Sequence, residues 1–363
     1  MRRSAGDSLY IGSLPRGCQQ CIEGAKLVFF VTGLCHRRCF YCPLSRDRQY
    51  VDVMFADEVP VRDWLDVLLE GRAIDSKGAG ITGGDPLLVV KRVVRFVKLL
   101  KSFFGNDYHI HLYTPGLYAS RSTIKMLAEA GVDELRFHVH KLEELEKLRF
   151  SLEAGMATGV EVPAIPGSLP FLKSLAKKLE DICEECFLNI NELEFSETNY
   201  MKLLQRGFRL KEGSMAAVEG SEETAVKLLE WAGEEGLSIS IHYCPSSLKD
   251  GVQTKRRLQR RLANVKHPSE EVFKSPLLRR VEVLADASRL EARLLKRLLV
   301  KFGVVHPWQC RLQFENSRSK LILPSSVPPR AVKSALSLDS LEIRRTVVHP
   351  TYNRMVVEAE PVG

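Results

Sequence analysis

Two rhythms of apolar residues alternate along the first two-thirds of the chain. Short runs such as AKLVFFVTG (25–33) are apolar almost throughout, the mark of a strand buried on both faces. Between them lie longer stretches with apolar positions three and four apart, the period of a helix that covers a core with one face. The strand at 25–33 is followed by a predicted helix at 61–73, a strand at 79–84 and a helix at 89–105 closed by Gly105. The alternation then repeats, with strands at 109–116, 134–140, 160–167 and 192–199 and helices at 120–131, 144–155 and 171–185. That makes six strand units up to Asn199, and a helix at 222–235 leads to an expected seventh strand at 237–244. Strands separated by helix-length segments pair in parallel through right-handed crossovers. Special residues recur at the C-terminal ends of these strands, where barrels build their sites. The pattern therefore predicts an α/β fold with a partial (β/α)6 barrel of the TIM type rather than a two-faced sheet.

After Cys244 the rhythm changes. A basic, helical stretch around TKRRLQRRLANV (254–265) breaks near Pro268. The remainder alternates a strand at 277–285, a long helix beginning near Asp286, an extended segment at 311–324, a short helix at 330–337 and a hairpin at 342–361. The chain thus divides into an N-terminal Cys-x2-Cys segment (1–24), the barrel (25–245), a basic helical segment (246–275) and a small C-terminal α/β domain (276–363).

Composition narrows the setting. With 363 residues, 45% hydrophobic and 27% charged, the chain can bury a sizeable core, and disorder is not expected. It has no apolar run of membrane-spanning length, and MRRSAGDSLY lacks the apolar core of a signal peptide, so the expected place is the cytoplasm, with no membrane partner. Nine cysteines, an odd number in short spacings, then suggest metal before disulfide. The net charge of +8 is concentrated between Lys249 and Lys266, where seven lysines and arginines face Asp250 alone. Clustered cations of this kind suit a polyanion, which makes Arg256, Arg257, Arg260 and Arg261 candidate contacts to RNA. An ordinary amphipathic surface helix, with Leu258, Leu262 and Val265 as its apolar stripe, explains the same spacing.

The sharpest chemical signal is Cys35-x3-Cys39-x2-Cys42, directly after the first predicted strand. Three thiolates within eight residues can wrap three corners of a 4Fe-4S cube and leave one iron open. A zinc site completed by a remote ligand, or an electron-transfer cluster with a distant fourth cysteine, would use the same spacing. The glycine-rich turn Gly83-Gly84-Asp85-Pro86 follows the second strand. Together with Tyr41 just before the last cysteine, these two motifs in this order resemble the radical SAM superfamily.

The resemblance implies a 4Fe-4S cluster on Cys35, Cys39 and Cys42 that binds S-adenosylmethionine at its open iron. The cluster takes an electron from a ferredoxin- or flavodoxin-type donor and cleaves the sulfonium to a 5'-deoxyadenosyl radical. It further implies that Tyr41 backs the adenine and that Gly83 and Gly84 bring backbone to the methionyl group, with Asp85, where glutamate is more usual, assisting. Thr114 stands in a turn similar to the family's third-strand motif, with Pro115 in place of the amide residue. His138, or its neighbour His140, lies where a polar ribose contact is often found. Glu192 and Glu194 share one face of the sixth predicted strand, where carboxylates are costly unless functional or paired with a barrel lysine or arginine, and Glu194 is the cofactor contact expected of that pair.

The opening GLCHRRCFYCPLS looks most like the branch that contains pyruvate formate-lyase activating enzyme, and the whole chain resembles a largely archaeal group related to it. Hydrogen abstraction from RNA is the leading expectation for substrate, ahead of a protein partner that receives a glycyl radical and of a small molecule. A non-catalytic iron-sulfur or zinc binding module is the contrasting class.

Two further Cys-x2-Cys pairs stand outside this motif. Cys18 and Cys21 precede the first strand, and Cys183 and Cys186 precede the sixth, so both are expected at the N-terminal rim. Across the gap between the first and sixth strands they would make a tetrathiolate site for zinc or a second 4Fe-4S cluster. Cys244, ending the seventh strand on the opposite rim, is the runner-up partner of Cys18 and Cys21. Cys183 and Cys186 would otherwise be small apolar residues in a helix.

Overall fold

The computed structural model describes residues 1–285, 288–315, 318–336 and 341–362. Two compact units are present, Met1–Arg257 and Leu258–Gly363. The expected helix start at Asp286 and the expected helix end at Ser337 lie outside the described residues.

In the first unit seven strands run in parallel, each hydrogen-bonded to the next in chain order. They are β2 (Lys26–Thr32), β3 (Gly78–Gly83), β4 (His109–Thr114), β5 (Glu134–Phe137), β6 (Ala157–Ala164), β7 (Phe187–Glu192) and β8 (Ser240–Cys244). A two-residue hairpin, Phe55–Ala56 with Val59–Pro60, flanks β2, and β1 (Leu9–Ile11) runs antiparallel to β8. The hydrogen-bonded order does not return on itself, which is a partial β/α barrel rather than a closed one.

The outer helices are α2 (Trp64–Ala73), α3 (Val90–Phe104), α4 (Arg121–Ala130), α5 (Leu148–Glu153), α6 (Leu169–Ile182) and, after the short α7 (Tyr200–Leu204), α8 (Ser221–Glu234). Each turns one apolar stripe inward. On α3 the buried residues Val93, Phe96, Val97 and Leu100 recur at helical spacing. Polar signals fix the ends, as at α4, where Ser120 caps the first turn and Gly131 closes the last in a left-handed conformation.

Two placements differ from the sequence reading. The sixth strand is Phe187–Glu192, ahead of 192–199, and α6 stops at Ile182. Asn189 and Asn191 interrupt the apolar run of FLNINE and hide its strand character, whereas the alternating glutamates of ELEFSETN imitate one. The second difference lies at the N-terminus. Leu9, Tyr10 and Ile11 pair with Tyr243, His242 and Ile241, so the chain first runs along β8 and then turns into α1 (Arg16–Ile22). Helix α1 packs against β2, β3 and β4.

Helix α9 (Lys255–Val265) contains the division between the units. The second unit is an antiparallel sheet in the order β10 (Arg311–Glu315), β11 (Arg318–Pro324), β9 (Leu278–Ala285), β12 (Glu342–Val348) and β13 (Val356–Pro361). Helices α10 (Arg289–Lys301) and α11 (Pro329–Leu336) complete it, and Val281, Val283, Leu299, Leu321, Leu323 and Val332 form its core. A buried network, in which Glu270 bridges Arg280 and Arg354, ties its first residues to its last.

Candidate active site

Cys35, Cys39 and Cys42 stand on the irregular loop that leaves β2, and all three thiols are partly buried. The Arg37 backbone N–H donates to Cys35 Sγ at 3.3 Å, and His140 Nε2 lies 3.4 Å from Cys39 Sγ. Burial raises the Cys35 thiol and pushes Cys39 up to about 11. Their thiolate forms therefore call for a positive partner such as a metal.

The glycine turn after β3 is stitched to the start of this loop. Gly84 N–H donates to Thr32 O at 2.8 Å and Asp85 N–H to Leu34 O at 2.7 Å. A Cβ at Gly84 would lie 2.2 Å from Leu34 O, and one at Gly83, where φ is +147°, would lie 2.1 Å from Thr32 O. Only glycine permits backbone to meet backbone this closely. Asp85 is fully buried. One oxygen, Oδ1, caps the following turn at Leu87 N and accepts from Thr114 Oγ1 at 2.8 Å, so Asp85 braces the turn against β4. Burial raises its carboxyl, and its other oxygen has no protein partner.

Tyr41 and His138 form one wall. His138 Nδ1 faces the Glu161 carbonyl at 2.9 Å and must carry the proton, which leaves Nε2 to accept from the Tyr41 hydroxyl at 2.8 Å. Burial pulls His138 down to about 4, so this neutral tautomer persists at neutral pH. The ring of His140 stacks on Tyr41, and Arg37 is held by an ion pair with Glu144.

Inside the barrel the strands present polar side chains at every second position, the period that selects one face. Arg136 donates to Glu134 at 2.6 Å, to Glu161 at 2.8 Å and to the Tyr113 hydroxyl at 3.2 Å. Lys26 donates to the His109 carbonyl at 2.6 Å, and burial pulls its amine down to about 7. Asn189 and Asn191 both donate to Glu161. The barrel residues and the cysteine loop line one cavity of about 490 Å³, which also includes Gly83, Gly84, Thr114, His138, Glu194 and Lys249. The signal for this interior was present as polar residues two apart in HIHLY, ELRFH and LNINE.

The segment past β7 clamps the cysteine loop, a role the sequence did not disclose. Thr198 Oγ1 donates to Leu44 O at 2.6 Å, and buried Asn199 donates to Tyr41 O at 3.1 Å and Glu194 O at 2.9 Å. Glu192 and Glu194 do not share a strand face. Glu192 ends β7 and accepts from Ser246, whereas Glu194 lies beyond the strand and pairs with Lys249 at 2.5 Å.

The thiols outside the motif also fall differently from their expected grouping. Cys186 belongs to the hydrophobic core and Cys183 packs against it, whereas Cys18, Cys21 and Cys244 line the cavity. Helix α1 reaches into the barrel, and β8 is only five residues long, about 17 Å, so Cys18 and Cys21 are not kept from the rim where Cys244 ends its strand.

The arginines proposed for RNA are engaged within the protein. Arg257 pairs with Asp57, Arg256 donates to Ile22 O, and Arg261 is buried, donating to Pro350 O at 2.6 Å. Part of the local excess of charge is thus directed at acceptors within the protein, although Arg256 remains exposed.

The donor set fits an iron-sulfur cluster with a polar cofactor beside it. Three thiols share one loop, and two buried atoms next to it, Asp85 Oδ2 and Arg37 Nε, have no protein partner. Residues 29–155 match the family model of the Radical SAM superfamily. A Methanocaldococcus jannaschii protein, provisionally named a glycyl-radical enzyme activating enzyme, is 42% identical over 285 residues, covering 75% of this chain and 74% of that protein. Among solved structures the chain is similar to the radical S-adenosylmethionine methyltransferase TsrM from Kitasatospora setae, with TM-score 0.35 and 15% identity over 59% of this chain and 42% of that one. It is also similar to the Escherichia coli coproporphyrinogen III oxidase HemN, described as a radical SAM enzyme, with TM-score 0.36 and 13% identity over 61% of this chain and 57% of that one. The chain thus spans about half the length of these two structures.

Proposed function

Because the chain belongs to the radical SAM superfamily, we propose that it is an activating enzyme that abstracts a hydrogen atom from the backbone of a protein partner. When bound, the cluster and S-adenosylmethionine supply one-electron cleavage of the sulfonium and a primary carbon radical able to take that hydrogen.

The residues of this chain divide the work by position. Cys35, Cys39 and Cys42 hold the cluster and leave its fourth iron for the cofactor. The Gly83–Gly84 backbone, fixed against Thr32 and Leu34, keeps the cofactor turn in register with the cysteine loop. Asp85 and Thr114 brace that turn from β4, and the neutral Tyr41–His138 pair gives the cavity a rigid wall without adding charge. Glu194, held by Lys249, supplies a polar edge on the opposite side. An external ferredoxin- or flavodoxin-type donor provides the electron. The free thiols and this reducing chemistry fit the cytoplasm, and no described helix is long and apolar enough to cross a membrane.

The observation that carries the protein-substrate reading is the 42% identity to the archaeal relative, which extends over three-quarters of the chain and well past the 29–155 match. The internal engagement of Arg256, Arg257 and Arg261 removes the main reason for preferring RNA. Deuterium transfer tests the reading. Reduced enzyme is mixed with S-adenosylmethionine and a soluble proteome from cells of its own source grown on Cα-deuterated glycine. Label should appear in 5'-deoxyadenosine. Label arriving only from deuterated ribonucleosides would overturn the proposal in favour of RNA.

A further inference from the structure

We propose that the floor of the barrel holds a second metal centre, a 4Fe-4S cluster ligated by Cys18, Cys21 and Cys244. Cys18 and Cys21 stand one turn apart on α1, the i, i+3 spacing that puts both on one face of a helix. That face points into the barrel. Gly17 N–H donates to Glu134 Oε2 at 3.2 Å, and Cys18 Sγ accepts from Arg136 at 3.4 Å and Asn189 at 3.3 Å.

Cys244 arrives from the other side. In the β7–β8 register Asn189 lies beside His242 and Asn191 beside Cys244. Cys244 therefore stands two residues, about 7 Å, along the barrel from the level at which Cys18 meets Asn189. His242 and Cys244 share a face of β8, and both line the cavity together with Cys18 and Cys21. None of the three thiols is in a disulfide.

Two further observations point to a ligand at this floor. His242 is 3% exposed and its Nδ1 has no protein partner, although its Nε2 is bonded to Ser8 at 2.8 Å. The carbonyl oxygen of the Asn189 side chain is likewise buried without a partner. Unmet polar groups in a packed interior mark a site built around something polar. Charged groups of both signs attend the sulfurs: Arg136 with Glu134 and Glu161 act on Cys18, Arg136, Lys26 and Arg257 with Glu161 on Cys21, and Lys249 with Glu161 on Cys244.

The spacing does not suit a single ion. Bonds of about 2.3 Å to one tetrahedral zinc hold sulfurs within about 4 Å of each other. Among the described residues the three floor thiols do not converge within 4.8 Å, a distance met only by the ligand atoms of Cys39, His138 and His140. A cubane spreads its thiolates over separate corners and does not require them to converge on one atom. Cys35, Cys39 and Cys42 line the same cavity. The inference is independent of whether the substrate is a protein.

The test is metal and sulfide analysis with EPR and Mössbauer spectroscopy on the full-length chain, reconstituted anaerobically with iron and sulfide. The unaltered protein should hold about eight irons, two clusters of four. The C18A/C21A/C244A variant should lose half of them and keep a cluster whose EPR signal changes on adding S-adenosylmethionine. The C35A/C39A/C42A variant leaves the floor intact. It should also keep about four irons, in a cluster that S-adenosylmethionine does not perturb. This second arm decides the question even if the floor variant fails to fold. Complete loss of iron from C35A/C39A/C42A would overturn the proposal, as would stoichiometric zinc that disappears with the floor cysteines.

Discussion

Replacing Gly84 by alanine adds one methyl group at the seam between the glycine turn and the cysteine loop, and the geometry fixes its effect. The new Cβ would sit 2.2 Å from Leu34 O and 2.6 Å from Gly33 O, both backbone atoms that no rotamer change can move. Carbon and oxygen rarely approach closer than about 3.3 Å, so the turn and the loop must separate by about 1 Å. Overpacking of this kind costs about 1–3 kcal/mol, and a 1 Å misplacement near a reacting centre costs on the order of 100-fold in rate, which is about 2.7 kcal/mol. The assay is single-turnover formation of 5'-deoxyadenosine by reduced, reconstituted protein, with iron measured in parallel. Gly84→Ala should slow the reaction by about 100-fold while retaining the motif cluster, because the three cysteines are untouched. Gly233→Ala is the control. That glycine lies on α8 with nothing within 4 Å of an added Cβ, so the variant should keep the full rate and gain up to about 1 kcal/mol of stability. A Gly84→Ala protein with the unaltered rate would refute the claim that this seam positions the cofactor.

Further outcomes follow from the same contacts. Asn199→Ala removes two buried donations that hold the cysteine loop, and should lower the unfolding free energy by about 1–3 kcal/mol and hasten iron loss, read by denaturant titration and chelator kinetics. Arg136→Met leaves Glu134 and Glu161 buried without their cation and should destabilise the first unit by about 3–5 kcal/mol, measured by the same titration. Acid should weaken the metal-free protein through three imidazoles, the buried His109 and His242 and the half-buried His138, since His109 is pulled down to about 3 and His138 and His242 to about 4, with desolvation the main cause in each. Their folded pKa values lie below the unfolded value of about 6.5, so the unfolded chain binds more protons. This stability is present above about pH 6.5 and is lost as pH falls towards 4, at up to about 1.4 kcal/mol per pH unit and histidine. Unfolding midpoints that stay flat from pH 7 to pH 4 would contradict the burial of these rings.

Most of the architecture was legible because parallel strands and their covering helices leave opposite signatures, continuous against periodic. The exception at β7 is instructive. Asn189 and Asn191 broke its apolar run because they face the cavity, so the residues that mattered for the interior hid the strand that carries them. The site motifs could be read because each is local, Cys35, Cys39 and Cys42 within eight residues and Gly83 to Pro86 in a single turn, and because the two occur in the order that resembles the radical SAM superfamily. Contacts that join distant segments could not. The clamp from Thr198 and Asn199 spans about 150 residues of chain and uses side chains common in any turn. Cys18 and Cys21 were misgrouped because nothing in their spacing tells that the antiparallel strand Leu9–Ile11 turns the following helix into the barrel. The arginines of α9 pose a related difficulty, as a basic helix looks the same whether its side chains meet phosphates or internal carbonyls and carboxylates.

The most direct test of the central claim is the yield of 5'-deoxyadenosine from S-adenosylmethionine under anaerobic reduction, compared between the unaltered protein and C35A/C39A/C42A. The unaltered protein should form it and the variant should form none above background. Equal yields from the two proteins would contradict the assignment of cofactor cleavage to the Cys35–Cys42 loop.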